Sequence, residues 1–305
     1  MENKVRKNPV RFAQLIQQFY NNTHIYYFNG VLRGIAETEL QIDGSIAFDV
    51  CQKCHQLPEK PCGREISWLF QKLAYLPWQE EALDMVIYYA LKDTNPQQEL
   101  WRTKARADQV YYDGDILQAG INSVRGSAVS AIAKLIFKDK NRTAYFQEAL
   151  EKIVSDYSIA VRSCAAEALT AVLNYDRDLA VRLFIKLCDT EDILLKTSTV
   201  DHFLYYALPT HFQDLKAIII RMINSEIPEV QEIGAKQTFV ISINIEEAKP
   251  LAEQCLSGTD NHCKAAAKVY AANLAKADYR AFCEQSIIKL LGYKDCCLQA
   301  DISKC

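Results

Sequence analysis

Two stretches, VRGSAVSAI (residues 124–132) and VRSCAAEAL (residues 161–169), decide the fold of this chain. Each opens on Val-Arg and continues with small residues. Three later stretches follow a similar plan: LLKTSTVDHF (194–203), VQEIGAKQTF (230–239) and CKAAAKVYA (263–271). The starts, counted at Val124, Val161, Leu195, Val230 and Cys263, lie 37, 34, 35 and 33 residues apart. A nearly constant spacing over five units predicts a repeat architecture.

The second repeat indicates what each unit contains. Its apolar residues recur with the period of an α-helix, at Val161, Ala165, Ala168, Leu169 and Val172. A polar break follows at residues 174–176, and a second helical stripe then runs through Leu179, Leu183, Phe184 and Leu187. Such a helix pair cannot bury its apolar face alone. We therefore predict an all-α fold in which antiparallel pairs stack into an α-solenoid, a HEAT- or armadillo-like superhelix. A compact bundle with accidental self-similarity is the alternative.

The regular repeats do not extend over the whole chain. Residues 1–118 show helical patterns of less regular spacing, and the polar stretch at about 93–118 predicts a surface loop. We predict an irregular helical-repeat part over 1–118, five HEAT-like helix pairs over 119–295 and a short C-terminal tail over 296–305. Together they are expected to form one continuous solenoid.

Composition excludes several classes of protein. The chain has 305 residues, of which 50% are apolar and 24% charged, which is typical of soluble globular proteins. Its net charge of −3 lacks the basic excess of nucleic-acid-binding domains. The chain shows neither a secretory signal nor an apolar run of about 18–20 residues, so we expect a cytoplasmic protein without a membrane partner. Its eleven cysteines are then expected to be reduced thiols, mostly small core residues.

The units resemble HEAT repeats, whose first helix is opened by an Asp followed by Val-Arg, here Asp156 with Val161-Arg162. Residues 120–137 and 173–187 also look like the HEAT-repeat region of very large bacterial P-loop NTPases of the signal-transduction kind, many of them thought to serve phage defence. The resemblance covers nearly the whole chain, including the starting NPVRFAQL and the stretch CQKCHQLPEKPCGR. It implies the sensor or regulatory arm of a larger NTPase.

The chain departs from that NTPase family in one respect that bears on chemistry. It contains no G-x-x-x-x-G-K-[ST] loop, whose backbone N–H groups and lysine would hold the phosphates of a nucleotide. The sequence also shows no local signature of a nucleophilic Cys/His pair. We therefore expect no enzymatic activity and no cofactor.

The motif CQKCH at residues 51–55 has the pattern of a haem attachment site, C-x-x-C-H. Haem attachment requires export and a second axial ligand, for which the sequence offers no support. Zinc is the second interpretation, with Cys51, Cys54, His55 and Cys62 as four candidate ligands. On a helix, however, Cys54 and His55 point about 100° apart. The favoured interpretation places Cys51 and Cys54 in the core, with His55 near the end of the helix.

The leading hypothesis from these patterns is a non-catalytic scaffold for protein–protein interaction. Solenoids offer an extended groove, and the basic side chains of the inner helices are candidates for contacting a partner: Arg182, Lys186, Lys216 and Arg221. The partner is expected to be another protein or an associated NTPase module. A nucleic-acid-binding or zinc-stabilised helical-repeat module is the alternative.

Overall fold

The computed structural model describes residues 1–292, which are mainly α-helical. The helices in order are α1 (Glu2–Lys7), α2 (Pro9–Ile16), α3 (Ile25–Ala36), α4 (Gly44–His55), α5 (Gly63–Lys72), α6 (Glu80–Leu91), α7 (Ile116–Ile121), α8 (Val124–Lys138), α9 (Arg142–Ile153), α10 (Ile159–Val172), α11 (Arg177–Leu187), α12 (Ser198–Ile223), α13 (Pro228–Ser242), α14 (Lys249–Leu256), α15 (Asp260–Asn273) and α16 (Ala277–Gly292). The predicted all-α class is confirmed. The predicted tail over 296–305 lies outside the described residues.

Four of the five repeated stretches fall on the helices α8, α10, α13 and α15, and the third (194–203) begins in a 3₁₀ turn (Asp192–Lys196) and continues into α12. Local chemistry fixes where the first two begin. Ser123 and Ser158 precede α8 and α10, and their hydroxyls accept hydrogen bonds from the backbone N–H groups of Gly126 (3.1 Å) and Val161 (3.3 Å). These N-caps satisfy backbone donors that a helix start otherwise leaves without a partner.

The third repeat differs from its neighbours in how its two helices are joined. The single helical segment α12 runs for 26 residues and contains Pro209. The backbone leaves helical geometry at His211, with φ −131° and ψ 36°, so two helices meet there at a kink. Proline removes a backbone donor and crowds the preceding turn, which accounts for a bend in place of a polar turn.

The chain divides into two compact units, Met1–Leu183 and a second that begins at Phe184. Within the first unit, five helices that we call the first row pack in succession, each on the next: α1, α3, α5, α8 and α10. Beside them α2 packs on α4, and α6 packs on α9. Within the second unit, α12, α13, α15 and α16 pack in succession. The irregular helices and the first regular repeat share one unit because α8 packs on both α5 and α6.

Residues 93–118, predicted to be a surface loop, contain two 3₁₀ turns (Leu100–Arg102 and Tyr111–Gly114) and a small antiparallel hairpin. The hairpin consists of β1 (Lys104–Arg106) and β2 (Gln109–Val110). Two side chains of the segment bind helix starts. Asn95 accepts a hydrogen bond from the N–H of Val124 at 2.9 Å, and Glu99 accepts one from the N–H of Ile159 at 2.6 Å. The segment therefore anchors the first turns of α8 and α10.

No helix in residues 1–292 combines the length and the apolar character that crossing a membrane requires. The cysteines that the structure describes are all buried: Cys51, Cys54, Cys62, Cys164, Cys188, Cys255, Cys263 and Cys283. This agrees with their interpretation as small core residues.

Small residues allow the helices of the first unit to approach closely. A Cβ atom added to Gly120 would lie 2.3 Å from the carbonyl oxygen of Ala160 and 2.8 Å from the sulfur of Cys164. Both contacts are far shorter than van der Waals separation, and the nearer one involves backbone that cannot rotate away. Only glycine therefore allows α7 to reach α10 at this point.

Replacing Gly120 by alanine should destabilise the protein by about 2–3 kcal/mol, because the methyl group must displace backbone in a close-packed region. Urea unfolding followed by circular dichroism measures this change. Gly44→Ala is the matched control, since its nearest neighbour would be the Cβ of Leu76 at 3.9 Å, an ordinary contact. An equal loss of stability in both variants would contradict the proposed crowding.

A buried ion pair joins the first two regular repeats. The Arg125 guanidinium donates to both carboxylate oxygens of Asp156, at 3.0 and 3.1 Å, and to the backbone oxygen of Asp93 at 3.2 Å. Its side chain is 4% exposed, and it also lies over the ring of Tyr157 at 4.5 Å. Asp156 in turn accepts the backbone N–H of Ser158 at 2.8 Å. The Asp that precedes one repeat thus binds the Val-Arg arginine of the repeat before it.

Asp156→Ala should cost about 3 kcal/mol or more of the free energy of unfolding, because it leaves the buried Arg125 without its anion. The matched control is Glu151→Ala. Glu151 pairs with Arg182 over the same sequence separation of 31 residues, but both side chains are well exposed. Exposed ion pairs contribute little, so the control should unfold at nearly the wild-type urea concentration. Equal effects at the two sites would show that burial does not decide the strength of these pairs.

Candidate functional site

A groove of about 470 Å³ lies on the first row of helices in the first unit. We call it the first-row groove. Its lining residues come from α3, α5, α7, α8 and α10, and they are Arg33, Arg64, Glu65, Trp68, Gln71, Ile121, Asn122, Ser127, Ser130, Lys134 and Glu167. Its volume falls in the range of ligand-binding clefts.

Two arginines share one buried carboxylate in this groove. Glu65 is 6% exposed, and its Oε1 accepts from Nη2 of Arg33 at 2.7 Å and from Nη2 of Arg64 at 3.4 Å. The two arginine side chains are each about 40% exposed. The bonds to the buried Glu65 hold both guanidinium groups at the groove, where Nη1 of Arg64 also donates to Oδ1 of Asn122 at 3.4 Å.

Trp68 supplies the largest apolar surface of the groove. It lies one turn after Arg64 on α5 and is 39% exposed. The ammonium group of Lys72 lies 4.6 Å from its ring centroid, and Lys72 also pairs with Glu37 at 3.1 Å. A half-exposed tryptophan fixed by a cation presents a rigid face to whatever enters the groove.

The far side of the groove is polar and internally paired. Lys134 on α8 binds Glu167 on α10 at 2.6 Å. Gln71 donates to the backbone oxygen of Ser127 at 2.9 Å and thereby joins α5 to α8. These bonds connect successive first-row helices, so the groove wall is continuous across repeats.

The cysteines of the CQKCH motif lie in the core. Cys51, Cys54 and Cys62 are completely buried, and the Cys54 thiol forms a hydrogen bond with Cys62. That bond and burial raise the pKa of Cys54, while burial and the nearby Cys62 raise the pKa of Cys51. Both shifts favour the protonated form of these thiols, which is a weaker nucleophile than the thiolate.

His55 interacts with side chains other than the three thiols. Its Nδ1 lies 2.9 Å from the hydroxyl of Tyr89, and its Nε2 lies 3.1 Å from the ammonium group of Lys60. Within residues 1–292, no three or more His, Cys, Asp or Glu side chains are grouped so that they could hold a metal ion. Zinc binding by Cys51, Cys54, His55 and Cys62 stays the alternative interpretation of the motif.

The basic residues predicted to contact a partner lie outside the first-row groove. Arg182 and Lys186 are exposed on α11, where Arg182 binds Glu151 at 3.2 Å. Lys216 is half-buried on α12. Arg221 binds Asp192 at 2.7 Å and the backbone oxygen of Cys188 at 2.7 Å, and also the backbone oxygen of Thr190. Arg221 thus holds the segment that precedes α12.

Sequence reasoning missed the first-row groove because its residues are distributed over helices of different repeats. A signal was nevertheless present in the spacing of charges. Arg33 and Glu65 are 32 residues apart, and Lys134 and Glu167 are 33 residues apart, close to one repeat. The helices of the first row pack in succession. Opposite charges one repeat apart on two neighbouring helices of that row therefore face each other. The exposed Trp68 had no comparable signal.

Comparisons with known proteins give no assignment of family or activity. No family model matches the chain, and no curated protein matches it. Among solved structures, it is similar to the crystal structure of an engineered protein, with 13% sequence identity and a TM-score of 0.47. That match covers 92% of this chain and 77% of the engineered one. Similarity at this level is too weak to support an argument about function.

The histidine beside the thiols should make stability depend on pH. Burial and the Lys60 ammonium lower the pKa of His55 below its ordinary value of 6.5. The unfolded chain therefore binds more protons than the folded chain as the pH falls below about 6.5. The contribution of His55 is complete above that pH and is lost as the pH falls toward the folded-state pKa.

Urea midpoints measured at pH 7.5 and pH 5.0 should thus differ less in His55→Gln than in the wild type. His262, whose pKa is also lowered by burial, contributes to the pH dependence of stability that remains in this variant. His202→Gln, at an exposed position of α12, is the matched control and should keep the wild-type pH dependence. An unchanged dependence in His55→Gln would contradict the assignment.

Proposed function

We propose that this chain is a non-catalytic helical-repeat scaffold, a HEAT-like α-solenoid, that binds another protein through the first-row groove. The observation that carries the proposal is that the exposed Trp68 lines one groove together with Arg33, Arg64 and the Lys134–Glu167 pair. Tryptophan and arginine dominate the binding energy of protein interfaces because they combine large contact area with directed hydrogen bonds.

The dimensions of the groove favour an extended polypeptide segment. The lining residues span four successively packed helices, α3, α5, α8 and α10. Helices that pack together have axes about 8–10 Å apart, so the outermost pair is roughly 25–30 Å apart. An extended chain rises about 3.3 Å per residue, and roughly eight residues cover that distance. A compact metabolite would contact only part of it.

We further propose that binding at this groove serves a larger bacterial NTPase, for which the chain acts as the sensor or regulatory arm. The support is the resemblance of residues 120–137 and 173–187 to the HEAT-repeat region of those proteins. The rate of ATP hydrolysis by a P-loop NTPase encoded beside or fused to this chain should change when the chain is added. An unchanged rate would contradict this role and leave peptide binding as a separate question.

Trp68→Ala should abolish or strongly weaken peptide binding. Selection from a phage-displayed library of random dodecapeptides should enrich sequences that bind the wild-type chain with micromolar dissociation constants. Removing a central tryptophan from an interface costs about 2 kcal/mol or more, which weakens binding by about thirty-fold. Fluorescence polarisation of the enriched peptides measures the loss. The mutation should leave the fold intact because the side chain is 39% exposed.

The same peptides test whether binding occurs at the first-row groove, at the basic residues of α11, or not at all because the chain binds nucleic acid. The double variant Arg182→Gln/Lys186→Gln removes the two candidates on α11 and should bind like the wild type. Loss of binding in that variant, with Trp68→Ala unaffected, would place the interface on α11. Failure to enrich any peptide, together with salt-sensitive retention of single-stranded DNA or RNA, would favour the nucleic-acid-binding alternative.

A further inference from the structure

We propose that the first-row groove recognises a carboxylate of its partner, an aspartate or glutamate side chain flanked by apolar residues. The receptor for this carboxylate is the pair of guanidinium groups of Arg33 and Arg64, and Trp68 receives the neighbouring apolar side chain. The inference rests on the proposed function and names the chemistry of the segment that the groove binds.

The two guanidinium groups are held close enough to act on one anion. Both donate to the same oxygen of Glu65, at 2.7 Å and 3.4 Å. Their Nη2 atoms are therefore no more than about 6 Å apart, a distance that N–H···O bonds of about 2.8 Å from both sides can bridge. Each guanidinium has five N–H donors. The bonds to Glu65, the bond from Arg64 to Asn122 at 3.4 Å and the pair of Arg33 with Glu2 at 3.8 Å use only some of them, so donors remain for a further acceptor.

The charged residues that line the groove carry one net positive charge, from Arg33, Arg64 and Lys134 against Glu65 and Glu167. Lys134 and Glu167 neutralise each other at 2.6 Å on the far side of the groove. Arg33 and Arg64 share the carboxylate of Glu65, and Arg33 also pairs at 3.8 Å with Glu2, which is not part of the groove lining. A carboxylate of the partner balances the charge of the lining and gives Arg64 an anion that it does not share with Arg33.

The carboxylates already present disfavour a polyanion. Glu65 and Glu167 line the groove, and Glu37 lies next to it through its bond to Lys72. A phosphate backbone, with a charge on every nucleotide, would place several of its charges against these acids. A polypeptide with a single acidic side chain meets the arginines and avoids the acids.

Apolar surface beside the two arginines favours an apolar residue in the partner segment, close to its carboxylate. Trp68 is 39% exposed and lies one helical turn from Arg64, and Ile121 contributes a second apolar surface that is 37% exposed. In an extended segment, alternate side chains point to the same side, about 7 Å apart. An acidic residue and an apolar residue two positions away can therefore reach the arginines and Trp68 together.

Two pools of fluorescein-labelled decapeptides test the inference by fluorescence polarisation. One has glutamate fixed at the central position and the other has glutamine, while the remaining positions are randomised among Leu, Ile, Phe, Ser and Gly. The glutamate pool should bind the full chain about ten-fold more tightly than the glutamine pool at low salt, and the preference should shrink as salt is added.

Charge-neutralised variants locate the receptor. In Arg33→Gln/Arg64→Gln the preference for glutamate should disappear. The double variant leaves the buried Glu65 without its cations and could unfold for that reason. If it does, the triple variant that also carries Glu65→Gln replaces it in the test, because no buried charge is then left without a partner. Thermal unfolding by circular dichroism verifies the fold of each. Arg11→Gln, an exposed arginine on α2, is the matched control and should keep the ten-fold preference.

Three outcomes would overturn the carboxylate assignment. Equal binding of both pools with loss in Trp68→Ala would leave the groove as a protein-binding site without a carboxylate receptor. A preference for glutamate that persists in the triple variant would place the receptor elsewhere. Binding of neither pool, with inorganic phosphate or a thymidine oligonucleotide bound in an Arg33- and Arg64-dependent manner, would assign the arginines to phosphate. The selected dodecapeptides decide separately whether the groove binds protein at all.

Discussion

The close approach of neighbouring helices through small side chains is the constraint on which the first unit depends. Ala128, Ala131, Ala165 and Ala168 are completely buried on α8 and α10. Gly120 leaves no room for a methyl group against the backbone of Ala160. Because short side chains bring the helices together, longer side chains at the edges of this interface meet across it. The Arg125–Asp156 pair is one result, since it forms between consecutive repeats and is almost fully buried.

Polar pairs at intervals near one repeat recur in both units. In the first, Arg33 binds Glu65 and Lys134 binds Glu167. In the second, Lys236 binds Asp201 over 35 residues, and Lys268 binds Glu232 over 36 residues. The basic side chain of each pair is 40% or more exposed, and screening by solvent limits what the pair contributes to stability. The main effect of these ion pairs is on position, because each pair holds the charged side chains of two adjacent helices opposite one another.

The residues of the first-row groove are far apart in sequence, whereas the cysteines of the CQKCH motif are close together in sequence. The cysteines of CQKCH are neighbours in sequence and also in the core. Burial raises the pKa of Cys51, the hydrogen bond with Cys62 and burial raise the pKa of Cys54, and His55 lies against Tyr89. The groove residues are far apart in sequence and contribute charge and aromatic surface at one place. The short motif of cysteines and a histidine was therefore less informative about the candidate site than the opposite charges separated by one repeat.

The sequence by itself determined the all-α class and the five repeated helices. These follow from local chemistry: the 3.6-residue period of apolar residues and the recurrence of small residues. Tertiary structure alone decided that residues 93–118 bind the starts of α8 and α10, that α12 continues through Pro209 to a kink, and that Trp68 lies among paired charges. Those features depend on which side chains of distant repeats meet, and helix periodicity carries no information on that.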